Sequence, residues 1–448
     1  HVQGDAYIGG NLQVIKQYQF VDTTADPASG HFELNGVALP AGQVITVTAA
    51  QLGKLRFIGG GEAGLDTVQV RASDGAAWGD WVTSTVTTVE RSPLLVAGGL
   101  DTVLNTTKTG DQLYHSVATL KDGGHVVTWI SSYVDGSGTG VVAQRFDIHG
   151  SKVGGEFLVP TLVKNNQFYT DTVALNDGGY AILWGAGPGL QGQRFDASGA
   201  QIGQQFTVNH GGSTQLKASV LADNTMAVAW VGPAGDWYGQ QLESVYVQRV
   251  AVNGTFFGGP VNVGQPLLMP RDQVVEPAIA SLANGGFVVS WTNQMINALA
   301  LGPEVRAQVF NASGNKVGGI IEVQTNRFSA QSESSIAGLS NGDFVIVWSS
   351  AHTAGYNIYM QRFNSSGGKI GAETLVNTTT DDAQRKPDVV ALSDGGYLVA
   401  WVSQNQDGDG DGIYAQRYNA VGTKVGPEFR LNTQTSGSQN GIELSARP

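Results

Sequence analysis

The segment Asp394-Gly395-Gly396-Tyr397-Leu398-Val399-Ala400-Trp401 is followed, after a variable insert, by Gly412-Ile413-Tyr414-Ala415-Gln416-Arg417-Tyr418. It contains a tight turn, an apolar run closed by tryptophan, and a strand ending in Gln-Arg-aromatic. The same cassette occurs six times, with its tryptophans at Trp129, Trp184, Trp230, Trp291, Trp348 and Trp401. The spacing of 46 to 61 residues is close to that of four-stranded propeller blades, and no helical periodicity interrupts it. Runs such as Phe344-Val345-Ile346-Val347-Trp348 have the composition of a buried strand. The turns before them, Asp122-Gly123-Gly124, Asp177-Gly178-Gly179, Asn284-Gly285-Gly286, Asn341-Gly342-Asp343 and Asp394-Gly395-Gly396, supply the positive φ of a two-residue hairpin. The third repeat departs with Asp223-Asn224-Thr225.

The later strand carries Gln144-Arg145-Phe146, Gln193-Arg194-Phe195, Gln248-Arg249-Val250, Gln361-Arg362-Phe363 and Gln416-Arg417-Tyr418, with Gln308-Val309-Phe310 as an imperfect copy. A second turn and a fourth strand complete each unit, giving strands A to D. A D-type strand at Thr102-Val103-Leu104-Asn105-Thr106 opens the array, and an A-type strand at Gly441-Ile442-Glu443-Leu444-Ser445 ends it. The expectation is an all-β chain: a propeller over 101–448, seven-bladed with a partial closing blade or else six-bladed. Residues 1–92 read as a small Ig- or cadherin-like β-sandwich spacer, with strands at Leu34-Val37, Val44-Thr48, Thr67-Val70 and Thr83-Val86. Residues 93–100, with Pro93 and Gly98-Gly99, form the linker.

Composition narrows function. A net charge of −12 opposes electrostatic binding to nucleic acid or to an anionic membrane, both of which need a basic face. There is no cysteine, so disulfides, thiolate nucleophiles and Cys-based zinc sites are excluded. No apolar stretch reaches membrane-spanning length, and the two ends read as cut from a longer polypeptide with further domains.

The blade text quoted above resembles repeats in very large bacterial calcium-dependent surface and secreted proteins. The N-terminal stretches Gln17-Tyr18-Gln19-Phe20-Val21-Asp22, Leu65-Asp66-Thr67-Val68 and Arg71-Ala72-Ser73-Asp74-Gly75-Ala76-Ala77-Trp78 resemble a module of the same class, the repeats-in-toxin adhesins and related haemolysin-type calcium-binding proteins. The resemblance implies type I secretion, an extracellular or cell-surface location, and attachment to a glycan or peptide on a cell or matrix surface. The glycine-rich calcium nonapeptides of that class are absent, apart from an imperfect echo at Gly59-Gly60-Gly61-Glu62-Ala63-Gly64-Leu65-Asp66.

Comparing the repeats with one another separates scaffold from site. The Trp and Gln-Arg positions recur in register and read as scaffold, with the arginines joining neighbouring blades. Function is expected where the copies differ, in the B–C inserts and D–A links, which emerge on one face. The insert from Trp to Gln is 9 residues in the second repeat and 18 in the third. Aromatics of that face, Phe168, Tyr169, Trp237, Tyr238, Phe328 and Tyr356, suit stacking on a sugar or packing on a peptide. Arg271, Arg327 and Arg385 could take a carboxylate, but Asp171, Asp272, Glu276, Glu333, Asp381 and Asp382 lie beside the same links.

Asp407, Asp409 and Asp411, alternating with glycines and followed by the backbone oxygen of Ile413, suggest a structural calcium loop; Asp135 marks a weaker version in the first repeat. The plain alternative is a solvated Asp-Gly turn. No catalytic constellation is recognised: His115, His210 and His352 could share the loop face but form no known motif. Three classes compete: a lectin-like or peptide-binding adhesion module, a polysaccharide-degrading lyase or hydrolase, and a structural spacer or matrix component.

Overall fold

The turn after each inner strand is built the same way. In the first blade Leu120 N–H bonds to Gly124 O at 2.7 Å, Gly123 N–H bonds to Leu120 O at 2.9 Å, and Gly123 sits at φ 82°. These turns are therefore three-residue loops closed by a left-handed residue, where two-residue hairpins were expected. Asp122 Oδ1 accepts Gly124 N–H at 2.9 Å and locks the loop.

The computed structural model describes residues 7–8, 11–12, 15–24, 30–35, 37–58, 64–88 and 101–446, except 133–137, 160–165, 188, 210, 212, 238–239, 265–272, 295–301, 327–328 and 354. The chain divides into two units, His1–Val96 and Ala97–Pro448. In the first, a four-stranded antiparallel sheet places Gln17–Asp22 and Gly64–Ser73 at its centre, flanked by Ile45–Thr48 and Val82–Thr88. A three-stranded sheet of His31–Leu34, Val37–Ala38 and Leu55–Ile58 shares a core of Phe32, Ile45 and Val47 with it. The expected strand at Leu34-Val37 is not one element: Leu34 ends one short strand and Val37 begins the next, and Ala49–Lys54 is a 3₁₀ turn that periodicity does not reveal.

The described residues of the second unit form six four-stranded antiparallel sheets, each in the order A-B-C-D. This is a β-propeller. Inner strands are Gln112–Thr119, Gln167–Ala174, Thr214–Val220, Gln273–Ser281, Gln331–Gly338 and Gln384–Ala391. Each B-strand tryptophan is buried at 5% exposure or less, and those of the second to sixth blades share a core cluster with the preceding blade, as Trp401 does with Val345, Val347 and Met360.

A seventh position lies between the last blade and the first. Leu444 N–H donates to Asp388 of the sixth inner strand at 2.6 Å, and Ser445 Oγ accepts Thr119 N–H of the first at 2.8 Å. On the outside, Asp101 accepts Thr433 N–H at 3.0 Å, and Glu156 binds Thr106 N–H. Those bonds repeat the link between Glu428 and Thr378 N–H, at 2.7 Å, so 101–106 and 441–446 stand in outer and inner strand places. Both were expected to be strands. Neither is assigned as a strand, and neither has a B or C partner among the described residues.

Candidate functional site

The inner strands line the channel in three layers. At the end where the B–C and D–A loops emerge, every inner strand carries one non-glycine residue at positive φ: Tyr114, Tyr169, Gln215, Glu276, Glu333 and Lys386, between 46° and 57°. A register shift accompanies each, so these are bulges that turn one side chain toward the next blade. In the third to fifth blades that side chain serves the scaffold. Gln215 accepts Glu276 N–H, Glu276 accepts Glu333 N–H at 2.8 Å, and Glu333 accepts Lys386 N–H at 2.8 Å. Burial pushes the Glu276 carboxyl up, with the nearby Glu333 charge adding to the effect against the Glu333 N–H.

The first two blades break this pattern. Tyr114 is 51% exposed, and its ring centroid lies 4.6 Å from that of Tyr169, tilted by 52°. Phe168, beside Tyr169, is 46% exposed. Burial, then the Tyr114 neighbour, raises the Tyr169 hydroxyl pKa. Together these rings make an aromatic shelf on the channel rim.

Below the rim lies a charged layer. Lys217 Nζ is 2.7 Å from Glu443 and 3.3 Å from Asp171. Asp171 also accepts Ser116 Oγ at 3.1 Å and Ala218 N–H at 2.6 Å, while Asp388 accepts Ser335 Oγ at 2.7 Å. Burial raises the pKa of Asp171, Asp388 and Glu443 despite Lys217. Burial works against the Lys217 ammonium, but Asp171 and Glu443 outweigh it and the net shift is upward. Its side chain keeps 37% of its surface open. Deeper still, Ser219, Ser281, Ile336, Val389 and Ala446 line a cavity of about 280 Å³.

Several residues singled out from the sequence fall in this frame. Phe168 and Tyr169 lie on the shelf. Tyr114 was missed, although Gln112-Leu113-Tyr114 repeats Gln167-Phe168-Tyr169 in register. Tyr356 begins the C strand Gly355–Phe363 and is half-buried, and Arg385 is half-buried on the sixth inner strand. The backbone of Trp237 pairs with Gln240 at the tip of a long hairpin. Tyr238, Arg271, Arg327, Phe328 and Asp135 lie outside the described residues, as does His210. Asp171, Glu276 and Glu333, read as belonging to the links, sit on inner strands and hold blades together.

The arginines differ from expectation. Arg194, Arg249, Arg362 and Arg417 pair within their own blade with Asp177, Asp223, Asp343 and Asp394 of the A–B turn. Arg145, through Ala197 O, and Arg362, through Val421 O, hydrogen-bond to the next blade as expected.

In the loop after Trp401, Asp407 Oδ2 accepts Asn432 Nδ2 at 3.3 Å and Asp409 Oδ2 accepts Gly437 N–H at 3.2 Å. The Ile413 carbonyl accepts Leu431 N–H at 2.7 Å. Two of the three carboxylates are thus turned to protein donors, and no group of three or more His, Cys, Asp or Glu poised for a metal occurs among the described residues.

No family model matches the chain, and no curated protein matches it. Among solved structures, a protein of unknown function from Dyadobacter fermentans is 12% identical, covers 65% of this chain and 90% of its own, and has a TM-score of 0.44. The β-propeller domain of the Trilobed protease from Pyrococcus furiosus, described as having an open velcro topology, is 8% identical over 85% of this chain and 88% of its own, with a TM-score of 0.43. An α-L-arabinanase of Penicillium chrysogenum complexed with arabinobiose is 17% identical over 73% and 83%, with a TM-score of 0.41.

Proposed function

We propose that this chain is an extracellular recognition module whose propeller binds a glycan on the rim of its channel, on the Tyr114–Tyr169–Phe168 shelf. The observation that carries it is the departure at the bulge register. Where three blades use the position to cap a neighbour's N–H, two blades place tyrosines there and leave aromatic surface uncovered. An aromatic face with a polar tip suits the apolar face and hydroxyl edge of a sugar ring. Glu276 and Glu333 act as Gln215 does, which marks them as scaffold, not as the acid and base of a hydrolase.

The test is a glycan array and a peptide array with the whole chain. Tyr114→Ala and Tyr169→Ala should each weaken glycan binding about tenfold, which is about 1.4 kcal/mol, without shifting the thermal midpoint by more than a few degrees. Unchanged binding in both variants, or turnover of a bound oligosaccharide, defeats the reading. Calcium at Asp407, Asp409 and Asp411 belongs to the same proposal. Binding there would replace the bonds to Asn432 and Gly437, and Asp409→Asn should remove it from a calorimetric titration.

A further inference from the structure

The outward face of the N-terminal sheet holds an arginine over two tryptophan rings. Tyr18 and Phe20 pack into the core with Phe32, Ile45 and Val47, so Gln19, between them, faces the other way. Arg71 and Thr46 are the partners of Gln19 on the two neighbouring strands and share that outward face. Trp81 comes one step beyond the Val70–Val82 pair, which sets it beside Arg71. Trp78 is placed by a tight loop, in which Asp74 Oδ1 accepts Ala76 N–H at 2.8 Å and Ala77 N–H at 3.1 Å, and Gly79 N–H bonds to Ala72 O at 2.9 Å. The guanidinium carbon of Arg71 lies 5.2 Å from the Trp78 ring centroid and 4.5 Å from that of Trp81.

The guanidinium is fixed, but its charge is unanswered. Its Nε donates to Gln19 Oε1 at 2.8 Å, and Gln19 Nε2 donates in turn to Thr46 Oγ1 at 3.1 Å. Among the described residues Arg71 has no other hydrogen-bond acceptor and no ion-pair partner. The carboxylate of Asp74 is turned to its own loop, and Asp80 forms no ion pair with Arg71. Neither Nη atom is a buried, unpartnered group, so both stay open to solvent and to a ligand.

We propose that Arg71, with Trp78 and Trp81, binds the carboxylate of a uronic acid unit in an acidic glycan on this face of the N-terminal module. The two Nη groups match a carboxylate bidentately, and the indoles and Gln19 set their orientation before binding, which lowers the entropy lost. The half-buried indoles offer apolar surface to the sugar ring. Along the same face Thr46, Thr48, Thr83 and Thr85 are exposed, and Gln69 Nε2 donates to Thr83 Oγ1 at 3.1 Å. Hydroxyls and amides around a single guanidinium suit a sugar chain with spaced carboxylates better than a polyacidic peptide, which needs further cations. This site is separate from the propeller rim and does not depend on the glycan reading there.

The experiment titrates the full chain calorimetrically with a tetrasaccharide of galacturonic acid, with the same sugar after reduction of its carboxylates to hydroxymethyl groups, and with tetraglutamate. Hydrogen exchange of the unmodified chain locates the binding. The acidic sugar should slow exchange in peptides covering 69–83 and leave those covering 112–119 and 167–174 unchanged. The reduced sugar should bind about tenfold more weakly or worse, and Arg71→Lys, which keeps the charge but not the paired donors, should weaken the acidic sugar by a similar factor. Absence of binding to the unmodified chain, equal affinity for the reduced sugar, or protection confined to 112–119 and 167–174 overturns the proposal even if the variant fails to fold. Tighter binding of tetraglutamate than of the acidic sugar also overturns it, by assigning the arginine to an acidic peptide.

Discussion

At the scale of single residues, the Gln-Arg-aromatic motif divides into three tasks. The aromatic stacks on the first residue of the neighbouring B strand, as Phe310 does on Phe287 at 4.7 Å. The arginine ties down the A–B turn. The glutamine spans the register shift of the outer strand, where Gln361 Nε2 reaches Ile370 O at 3.0 Å and supplies a donor to a carbonyl the bulge would strand. Two of the tryptophans are partnered as well: Trp348 Nε1 donates to Gln331 Oε1 at 2.8 Å, and Trp401 Nε1 to Gln384 Oε1 at 3.0 Å. In the first blade the same atoms, Trp129 Nε1 and Gln112 Oε1, lack partners. Gln384→Ala should therefore cost about 1–3 kcal/mol by leaving a buried indole N–H unsatisfied, while Gln112→Ala should cost clearly less. Urea unfolding of the two variants checks the order, and equal losses would refute it. These scaffold residues were legible because repetition exposes them. Tyr114 was not, because its meaning lies in a departure within a register that only the bulges define.

At the scale of elements, the blades depend on left-handed residues of two kinds. Outer strands carry a glycine at positive φ near their start, such as Gly154 at 71° and Gly371 at 69°, and the resulting bulge distorts an edge otherwise open to strand pairing. Inner strands use Tyr114, Tyr169, Gln215, Glu276, Glu333 and Lys386 instead, where sequence gives no warning because glycine and asparagine are the usual markers. The turn that departs in the third blade explains itself by contacts. Asn224 holds φ 63° where glycine is the norm, but its Oδ1 accepts Asn176 N–H at 2.8 Å and its Nδ2 donates to Asp177 Oδ2 at 3.0 Å, joining two blades. Asn224→Gly should consequently destabilise the chain by about 1 kcal/mol, although glycine relieves backbone strain at that φ. A gain in thermal midpoint would show that strain outweighs the two bonds.

At the scale of the molecule, the six sheets and their order could be read from periodicity, and the two orphan segments were rightly placed at the closure. Their irregular form was not legible, since pairing depends on B and C partners that those segments do not supply. Closure rests on charges of opposite pH behaviour. N–H groups of Gln434 and Thr433 hold Asp101 below its ordinary pKa; Glu156 is partly buried, which pushes it up, but donors from Thr106 and Thr107 outweigh that. For such depressed carboxylates, the stabilising contribution is complete above the ordinary value and is lost as pH falls through the folded one. Asp171, Asp388 and Glu443 are raised, so the fold disfavours their ionised forms, and that penalty sets in as pH rises from the ordinary value toward the folded one. Lys217→Met removes the ammonium between Glu443 and Asp171 and should cost about 2 kcal/mol at neutral pH, less than a dry pair because the lysine is partly open to solvent. The loss should shrink on acidification, as the carboxylates it leaves behind take up protons. Asp101→Asn should behave differently in kind. It should cost about 1 kcal/mol at neutral pH, discounted for the exposure of Asp101, and the cost should vanish only below the ordinary aspartate range. Unfolding midpoints of both variants against pH distinguish these curves. Parallel profiles would mean that the outer clasp and the channel lysine do not close the ring independently, because a single titrating event would then govern both.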